Sequence, residues 1–579
     1  MNAPSLPMPF SSDMVHGLIS VAFFPAAWVF VHFLMVHKNW CFADFCVESM
    51  GSRRVPVRQT LSVFYSFLIF TALVAFASKK LKSVKSLLSR RVQPLHMVTI
   101  GEVAWFSAAL FLSLIAVPAM VWAPYWNMWA SMLVSMASGK MNMGPGMEES
   151  TWPWIRVVYE TLILTTGDSL SLLLGFVVLP ISKYSFLASF LDLPYNSTLR
   201  VHMWLGYAIF WLTVFHLILC MLSYVLDQTP LYDLFFTVPV GASWGNSQYL
   251  FITGFVSFFI LGFVLLTSLS YVRRKAYYIF FVTHFLVFVA VLFAYFHASM
   301  SIFYMIPGLG MYAVDGFLRL QSRFSDEKVV QVKVEVCGYI TVTVATQKAA
   351  KSCPGQFMRV NVPSASRFEF HPWSIVHADE QSVSFLFAPN SKANTWSSRV
   401  ADLLKNSPDS ETVVHMQGPF GKEMELTRES AGHDLLVFYV AGTGIAACVA
   451  GVEQVLKRQS VVPKIQVYWS SKSGKMETLT WIQTWLNKSK EVHVQLFETN
   501  DGWIKADDDT SGNHRPNLKQ LLAKNAAPLK SETGTLKVGV FVCGPNRFAR
   551  DALESVDEFV RLPEHKGIQV SVEVESFDL

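Results

Sequence analysis

The sequence predicts a multi-domain protein: an α-helical transmembrane bundle of about eight spans, then an antiparallel β-barrel and an α/β domain with a parallel sheet. Of the 579 residues, 52% are hydrophobic and 15% are charged, which is too apolar for a water-soluble protein and too charged for one wholly within lipid. The apolar residues are concentrated before about residue 320. From Ser325 onward the chain alternates strands, charged helices and polar turns, so a domain boundary is expected near 319–327.

Eight stretches are long enough to cross a bilayer, since a spanning helix needs about 20 mostly apolar residues. They cover approximately 15–36, 58–77, 98–122, 157–180, 199–224, 248–270, 276–297 and 300–320. Basic residues crowd the loops after the second span (79–91) and after the sixth (273–275). By the positive-inside rule both termini face the cytosol, although the basic residues between the first two spans argue mildly the other way. The first stretch has no small-residue cleavage pattern after it, so no cleavable signal peptide is expected.

Charge and cysteine content exclude other classes of function. The net charge of +5 is small and its basic residues lie mostly beside the spans, so nucleic-acid binding is not expected. The seven cysteines have no zinc-site spacing and form no disulfide framework. Cys41 and Cys46 are the one local pair, in a loop predicted to lie outside the cell, where oxidation can occur.

Two spans carry matched pairs of histidines. His202 and His216 are fourteen residues apart in the fifth span, and His284 and His297 are thirteen apart in the seventh. At 1.5 Å per residue, each pair is separated by about 20 Å, most of a hydrocarbon core of about 30 Å. Two such helices can hold two flat cofactors one above the other. With both helices running outward, His202 pairs with His284 near the cytosol and His216 pairs with His297 near the outer face.

Imidazole is a good iron ligand, and bis-histidine ligation suits an iron that passes electrons rather than binding substrate. The alternative is that each histidine only hydrogen-bonds a neighbouring helix. That interpretation is preferred for His16, His32 and His96, because no second helix repeats their spacing. A spacing of thirteen leaves two side chains about 140° apart on an ideal helix, so the seventh span must bend or present its histidines from different flanks.

Strand-rich residues from Val329 to about Met416 predict a small antiparallel barrel. Within it, the run from His371 to Ile375 reads His-Pro-Trp-Ser-Ile. An extended segment ending in an aromatic and a hydroxyl could stack a planar ring and hydrogen-bond its edge. It could equally be a strand edge with a buried Trp.

Beyond His433, alternating strands and helices predict a parallel sheet of five strands, and such sheets bind ligands at the carboxyl ends of their strands. A glycine-containing turn at 441–445 follows the first strand and could receive a phosphate at the next helix N-terminus, although packing also explains two glycines. Ser470, Ser471 and Lys472 follow the second strand and could meet a 2′-phosphate, unless Lys472 is simply solvated. Cys543-Gly544-Pro545 follows the fourth, where a buried structural cysteine is the alternative.

Taken together, these motifs resemble the ferric reductase and NADPH oxidase superfamily over roughly residues 98–579. HPWSIVHA at 371–378 is similar to the family's flavin motif, and AGTGIA at 441–446 to its glycine-rich NADPH turn. Arg515-Pro516-Asn517 and Cys543-Gly544-Pro545 resemble two further NADPH motifs, and Phe577 resembles the C-terminal aromatic that covers the flavin. Trp373 replaces a common Phe, and His377 stands where Ser is common.

The resemblance implies cofactors and roles. His371 would approach the FAD phosphates, Trp373 would lie against the isoalloxazine, and Ser374 would bond near its N5 atom. The implied FAD-binding residues are His371, Pro372, Trp373, Ser374, Ile375 and His377. The implied NADPH-binding residues are Gly442, Thr443, Gly444, Ile445, Lys472, Arg515, Cys543, Gly544 and Pro545. The candidate catalytic residues are Ser374, Cys543 and Phe577, and the implied heme ligands are the four paired histidines.

The expected domains are an N-terminal helix pair (1–97), a six-helix heme-binding domain (98–321), an FAD-binding barrel (326–430) and an NADPH-binding α/β domain (431–579). The first two spans lie outside the six-helix core that the family shares. The protein is expected to be a multi-pass plasma-membrane protein. The sequence leaves open whether it is oligomeric or needs a small partner subunit.

The expected activity is transmembrane electron transfer from NADPH through FAD and two b-type hemes to ferric chelates, as in iron uptake, with cupric ion as a further candidate acceptor. The alternative is superoxide production. The oxidases look to have a second histidine where this chain has Cys220, and no basic residue occurs at 165–168. Asp227 and Asp233 in an outer loop favour a cationic acceptor, although solvation also explains them. A scaffold or transporter without redox function is the third interpretation.

Overall fold

The computed structural model describes most of the two predicted halves. The described residues are 22–33, 41–42, 45–46, 54–78, 87–88, 90, 92, 98–123, 126–127, 130–131, 135, 153–181, 195–226, 228, 230–236, 247–298, 301–321, 326–335, 338–367, 369–390, 395–406, 412–421, 423–428, 432–458, 462–472, 491–499, 517–529 and 535–576. The chain divides into two compact units, Met1–Gly316 and Phe317–Leu579. Each unit is described below by itself.

The first unit is helical. Its helices are α1 (Ala22–Phe33), α2 (Arg54–Ser78), α3 (Ile100–Phe111), α4 (Pro153–Val178), α5 (Tyr195–Leu226), α6 (Leu231–Phe236), α7 (Ser247–Ser268), α8 (Ser270–Lys275), α9 (Tyr277–His284), α10 (Leu286–His297) and α11 (Ser301–Gln321). Two-residue strands, Cys41–Phe42 and Phe45–Cys46, pair antiparallel. The side chains of Cys41 and Cys46 lie outside the described residues.

Within the described residues, five helical segments are long and apolar enough to cross a membrane. They are Ile100–Met120, Thr161–Ile181, Ser197–Leu226, Phe251–Ser268 and Tyr277–His297. The first two predicted spans correspond to shorter apolar helical segments, Ala22–Phe33 and Arg58–Val74. The predicted eighth span corresponds to α11, which has Pro307 inside it. Five apolar helices are therefore present, and the total of eight spans stays a prediction.

Helix α3 begins at a capping box. The Thr99 side chain accepts a hydrogen bond from the Glu102 backbone N–H, and the Glu102 carboxylate accepts one from the Thr99 backbone N–H, which satisfies two donors left open at a helix start. Glu102 also pairs with Arg200 of α5 at 3.1 Å. The helix continues through two π-helical segments, Leu112–Ala116 and Pro118–Trp122.

The predicted seventh span is interrupted directly after its first histidine. Helix α9 ends at His284 and α10 begins at Leu286, with Phe285 between them at φ −67° and ψ −16°. The Phe285 N–H donates to the carbonyl of Val282 rather than four residues back. The interruption lies between the two histidines whose spacing predicted either a bend or presentation from different flanks, and it favours the first alternative.

The second unit opens with a barrel. Its strands are β1 (Glu327–Val334), β2 (Ile340–Ala345), β3 (Phe357–Asn361), β4 (His371–Ala378), β5 (Ser382–Phe387) and β6 (Val413–Phe420). They close in the order β1-β2-β5-β4-β3-β6, and the pairings are antiparallel. Helix α12 (Trp396–Asn406) packs on the barrel core through Trp396, Val400 and Leu404.

A five-stranded sheet follows the barrel. Its strands are β7 (Leu435–Ala441), β8 (Lys464–Lys472), β9 (Val492–Thr499), β10 (Leu536–Gly544) and β11 (Ile568–Ser576), in the order β9-β8-β7-β10-β11 with all pairings parallel. Its helices are α13 (Ile445–Arg458), α14 (Leu518–Ala526) and α15 (Asn546–Arg561). The first six residues of β7 are buried, as expected for a strand covered on both faces. Chain order reverses between β7 and β10, which is where such sheets bind ligands.

Candidate functional site

The four predicted histidines form two facing pairs. His202 of α5 and His284 of α9 have ring centroids 6.2 Å apart with ring planes at 69°. His216 of α5 and His297 of α10 are also 6.2 Å apart, with planes at 84°. The pairing is the one that the topology predicted, and each pair is contributed by two different helices.

The spacing within each pair fits one metal ion between two imidazoles. A bond from an imidazole nitrogen to a transition metal is about 2 Å long. Two such bonds plus the half-widths of the two rings add up to roughly 6 Å, which matches the 6.2 Å centroid separation. Among the described residues, no three His, Cys, Asp or Glu side chains gather at a common metal site. Two imidazoles that face each other at this distance would suit one iron ion, as in bis-histidine heme sites.

Hydrogen bonds indicate which nitrogen carries the proton in three of the four histidines, the first two being His202 and His216. The Nδ1 atom of His202 lies 2.9 Å from the carbonyl oxygen of Val177. A carbonyl only accepts, so Nδ1 carries the proton and Nε2 keeps its lone pair. The Nδ1 atom of His216 lies 2.8 Å from the Thr166 hydroxyl. That hydroxyl already donates within its own helix, to the carbonyl of Leu162, so it accepts from His216.

His284 has the same arrangement with a serine. Its Nδ1 atom lies 3.2 Å from Ser268 Oγ, which itself donates to the carbonyl of Val264 at 2.6 Å. The Ser268 oxygen therefore accepts from Nδ1–H of His284. Hydrogen bonds to Val177, Thr166 and Ser268 thus hold three of the four rings with Nε2 available as a ligand. In known metal sites, hydrogen-bond partners of this kind orient the ligating histidines.

His297 is positioned by close packing against α7. An ideal Cβ placed on Gly254 would lie 2.8 Å from its Nδ1 atom, so only glycine leaves room for the ring where it stands. Of the three histidines that were set aside, His32 lies on α1 with its ring 5.4 Å from that of Trp28. His16 and His96 lie outside the described residues.

The predicted flavin segment forms strand β4, and its residues alternate between the two faces of the barrel wall. Trp373 is 5% exposed and stacks on Phe387 at 4.7 Å and 10° inside the barrel core. The expected contact between Trp373 and the flavin ring does not fit this placement, because the period of two along the strand turns position 373 inward. The structure corrects that assignment and favours the alternative of a buried Trp.

Residues on the outer face of β4 remain available. Pro372 is exposed and Ser374 half-buried, whereas Ile375 is buried. Arg359 of β3 lies directly opposite Pro372, and its guanidinium lies 3.2 Å from the carbonyl of Phe370. Ser374 lies opposite Phe357, two positions along from the Arg359–Pro372 pair. A hydroxyl and a guanidinium on neighbouring strands suit a ligand that carries a pyrophosphate, so these residues fit FAD.

Two histidines of β4 have protein partners. His371 stacks on Trp396 at 4.0 Å, and burial lowers the pKa of its imidazole, which favours a neutral ring. The Nδ1 atom of His377 lies 2.7 Å from Glu453 Oε2 on α13. This hydrogen bond raises the pKa of His377. His377, which was expected to contact FAD, thus links the barrel to α13, the helix that follows the glycine turn.

Two of the segments predicted to bind NADPH meet at the reversal point of the sheet. Gly442 follows β7 with φ +56°, a conformation that favours glycine. An ideal Cβ on Gly444 would lie 2.8 Å from the carbonyl oxygen of Cys543, so the turns after β7 and β10 touch. Thr443 and Gly444 lead directly into Ile445, the first residue of α13. A helix N-terminus at such a crevice suits a phosphate.

A carboxyl group that the sequence argument missed lies beside this crevice. Glu575 of β11 is the register partner of Cys543, and its Oε2 atom is enclosed with no hydrogen-bond partner among the described residues. Burial, and secondly the charge of Glu573, raise the pKa of Glu575 to about 8. Burial also raises the pKa of the Cys543 thiol well above its ordinary value. Both shifts favour the neutral form, of the Glu575 carboxyl and of the Cys543 thiol.

Other predicted site residues fall outside the described part of the chain. Arg515 and Phe577 are among them, as are the side chains of Lys472 and Asp233. Lys472 ends strand β8, and Asp233 belongs to α6. Their predicted roles stay predictions.

Two family models match successive parts of the chain. The ferric reductase-like transmembrane component matches residues 166–295, which include three of the four paired histidines and the partners Thr166, Val177 and Ser268. His297 lies two residues beyond the matched range. An FAD-binding domain matches residues 326–424, the closed barrel. Together with the five apolar helices, the first match shows an integral membrane protein.

Named relatives are plant ferric reductases. Ferric reduction oxidase 2 of Arabidopsis thaliana is 24% identical over 422 residues, which cover 70% of this chain and 55% of the relative. Ferric reduction oxidase 3, mitochondrial, of the same plant is 25% identical over 353 residues, which cover 59% of this chain and 48% of the relative. The chain therefore spans about half the length of these relatives.

A solved ferredoxin NADP+ reductase from Neisseria gonorrhoeae, with bound FAD and NADP, is 16% identical. The match covers 43% of this chain and 98% of that one with a TM-score of 0.31. This score is too low to define the architecture of the second unit, which is given by its own closed barrel and parallel sheet. The two matching family models and the ferric reduction oxidase relatives fit the ferric reductase and NADPH oxidase superfamily.

Proposed function

We propose that this protein passes electrons from NADPH, through FAD and two b-type hemes, across a membrane to ferric chelates. The observation that carries the proposal is the two facing histidine pairs, each with rings 6.2 Å apart. Hydrogen bonds to Val177, Thr166 and Ser268 hold three of these rings with Nε2 available. Helices that only packed against each other would not need two pairs of facing imidazoles at the same ring separation.

Each histidine pair would hold one heme. His202 and His284 are proposed to ligate the inner heme, and His216 and His297 the outer one. Ligation by two imidazoles would suit an iron that passes electrons rather than one that binds substrate. The hemes and the flavin, when bound, supply the conversion of a two-electron hydride donor into a one-electron path.

The cytosolic half would order the donor and the flavin. Ser374 and Arg359 on the outer face of the barrel would bind FAD, together with His371 and Pro372. The turn from Gly442 to Ile445 would bind the NADPH phosphates, and Cys543 with Gly544 and Pro545 would lie at the nicotinamide. Lys472 and Arg515 would favour the 2′-phosphate of NADPH. In this scheme Ser374, Cys543 and Phe577 stand nearest the hydride transfer.

The choice of ferric chelates rests on two observations. The relatives named above are ferric reduction oxidases, and Cys220, which is buried on α5, stands where the oxidases look to have a histidine. Cupric ion is a further candidate acceptor, because the exit of a one-electron path does not by itself select the metal. Superoxide production is the alternative.

The proposed topology has eight spans with both termini in the cytosol of a plasma-membrane protein. Arg273, Arg274 and Lys275 end helix α8, between the predicted sixth and seventh spans, and their charge favours the cytosolic side. The four domains given from the sequence (1–97, 98–321, 326–430 and 431–579) are proposed to hold the helix pair, the hemes, FAD and NADPH.

Purified full-length protein tests the proposal. We expect a b-type heme signal in the reduced-minus-oxidised absorbance spectrum and NADPH-driven ferric-citrate reduction in excess of superoxide release. His216→Ala or His297→Ala should abolish ferric reduction and leave NADPH-driven reduction of a soluble dye by the cytosolic half. His32→Ala is the matched control, because His32 lies on α1, which contributes to neither pair. Absence of a heme signal would exclude the electron path, and dominant superoxide release would favour the oxidase.

A further inference from the structure

A buried carboxylate in helix α4 receives hydrogen bonds from three other parts of the bundle. The Thr60 hydroxyl of α2 donates to Asp168 Oδ2 at 2.8 Å, and Trp122 Nε1–H donates to the same oxygen at 3.3 Å. The Tyr304 hydroxyl of α11 donates to Oδ1 at 3.1 Å. Asp168 is 9% exposed. Ionisable groups at membrane depth are costly and usually have a function, so this carboxylate requires an explanation beyond packing.

Helix α4 connects this carboxylate to a proposed heme ligand. Thr166 accepts the Nδ1–H of His216 at 2.8 Å, and an ideal Cβ on Gly167 would lie 3.5 Å from His216 Cε1. Asp168 follows two residues after Thr166, which turns it about 200° around the helix, to the opposite side. A single turn of α4 therefore faces His216 on one side and presents Asp168 to its three donors on the other.

Helix α2, which supplies Thr60, is itself held firmly. The Tyr65 hydroxyl donates to the carbonyl of Phe303 on α11 at 2.8 Å. Phe64 meets the ring of Phe176 on α4 at 5.1 Å in an edge-on contact, and Phe64 and Tyr65 are fully buried. Because α2 cannot shift freely, its bond from Thr60 constrains the position of α4.

We propose that Asp168 is a positioning residue for the outer heme: through its bond from Thr60 it lets the N-terminal helix α2 set the orientation of Thr166, and hence of His216. This inference rests on the proposed function, since it concerns the heme held by His216 and His297. Under this proposal, the N-terminal helix α2 affects the signal and midpoint potential of one of the two hemes. Helix α2 lies outside the family-matched residues 166–295.

A purely structural role for the Asp168 cluster predicts something different. Loss of a bond that only holds the fold together would lower the yield or thermal stability of the protein, and would disturb both hemes alike or neither. A positioning role instead alters the heme at His216 and spares the one at His202 and His284. The readout must therefore separate the two hemes.

The test uses purified full-length protein with both hemes bound. The ferric low-spin signals are measured by electron paramagnetic resonance, and the midpoint potentials by redox titration. Loss of one signal in His216→Ala identifies the outer heme. We expect Thr60→Val to shift the outer-heme signal and midpoint potential, because the signal of a bis-imidazole iron depends on ring orientation. Thr60→Ser keeps the hydroxyl and should restore both values.

Thr71→Val is the matched control. Thr71 lies on the same helix and is buried, but its hydroxyl bonds only to carbonyls of α2 itself, those of Phe67 and Leu68, among the contacts described. This variant should leave both hemes unchanged. Asp168→Asn, which alters the acceptor rather than the donor, should shift the same heme as Thr60→Val.

Two results would overturn the proposal: unchanged outer-heme values in Thr60→Val, or equal shifts of both hemes. If Thr60→Val does not fold, Thr60→Ala takes its place under the same criteria. Failure of the proposed function has a different signature, because wild-type protein would then show no pair of bis-histidine signals at all.

Discussion

Gly254 lies so close to His297 that a Cβ at position 254 would be 2.8 Å from Nδ1 and 2.9 Å from Cε1 of the imidazole. The glycine is on α7 and the histidine on α10, and Ser257 on the next turn of α7 donates to the carbonyl of Ala290 at 2.9 Å. Small residues allow such close approach of membrane helices. The His297 ring therefore fits in its position because the neighbouring helix α7 has no side chain at Gly254.

Gly254→Ala should displace His297 and lose the outer heme. The added methyl would meet the ring below 3.0 Å, so the ring would have to move from the position in which it faces His216. The expected result is about half the wild-type heme content per protein, measured by pyridine hemochrome absorbance. Gly262→Ala on the same helix is the control, because its nearest neighbour is Phe210 Cε2 at 3.7 Å. Full heme content in Gly254→Ala would contradict the argument.

The histidine pairs could be predicted from the sequence, whereas their supports could not. Spacings of fourteen and thirteen on two apolar helices indicate matched depths, and the mismatch of the second spacing predicted the break found at Phe285. Thr166, Ser268 and the Val177 carbonyl come from neighbouring helices. A threonine, a serine and a backbone oxygen carry no sequence signal for such a role, because which helices become neighbours is decided only by packing.

Trp373→Ala should unfold or strongly destabilise the barrel. The Trp373 ring fills the core beside Phe387, and truncation of a buried aromatic to alanine costs about 3–5 kcal/mol. Ser374→Ala, on the outer face, should leave thermal unfolding unchanged and weaken flavin retention. Thermal denaturation and the FAD content of the purified protein measure the two effects. A Trp373→Ala variant with wild-type stability but no flavin would restore the stacking role that the sequence implied.

The faces of strand β4 explain why this role was misassigned. Alternating strands predicted a barrel, and the barrel is found, but the motif at 371–378 does not reveal which parity of its residues faces inward. Ile375 and Trp373 are buried on one face, and Pro372 is exposed on the other. Arg359 was missed for a related reason, because it lies opposite Pro372 only through the pairing of β3 with β4.

Glu453→Gln should reduce thermal stability at pH 6 more than at pH 9. The bond from Glu453 raises the pKa of His377, so its stabilisation is fully present below the unfolded value of about 6.5 and is lost as pH rises through the folded value. Lys457 and Asp379 are the other charged groups acting on His377. Its side chain is 40% exposed, so we expect an effect below about 1 kcal/mol.

Melting temperatures of the full-length protein at the two pH values measure this difference. Lys457→Gln is the matched control, since it removes a neighbour of Glu453 at 3.8 Å and leaves the His377 bond in place. An equal loss at both pH values would show that the protonated form of His377 contributes nothing to the contact.

Glu575→Gln should flatten the pH dependence of stability between about pH 5 and pH 8. Burial raises the pKa of Glu575 to about 8, against about 4.3 for an unperturbed Glu. Between these values the unfolded chain has released the proton and the folded protein has kept it. The stabilisation is thus full below about pH 4.3 and is lost as pH rises through about 8.

The melting temperature of the wild-type protein should therefore fall more steeply with pH across this range than that of Glu575→Gln. The glutamine keeps the shape of the neutral carboxyl and cannot ionise. Glu554→Gln is the control, because Glu554 is exposed on α15 and its replacement should keep the wild-type slope. Parallel curves for wild-type and Glu575→Gln would mean that Glu575 is already ionised near neutral pH. In that case Cys543, which is proposed to lie at the nicotinamide, would have a charged register partner.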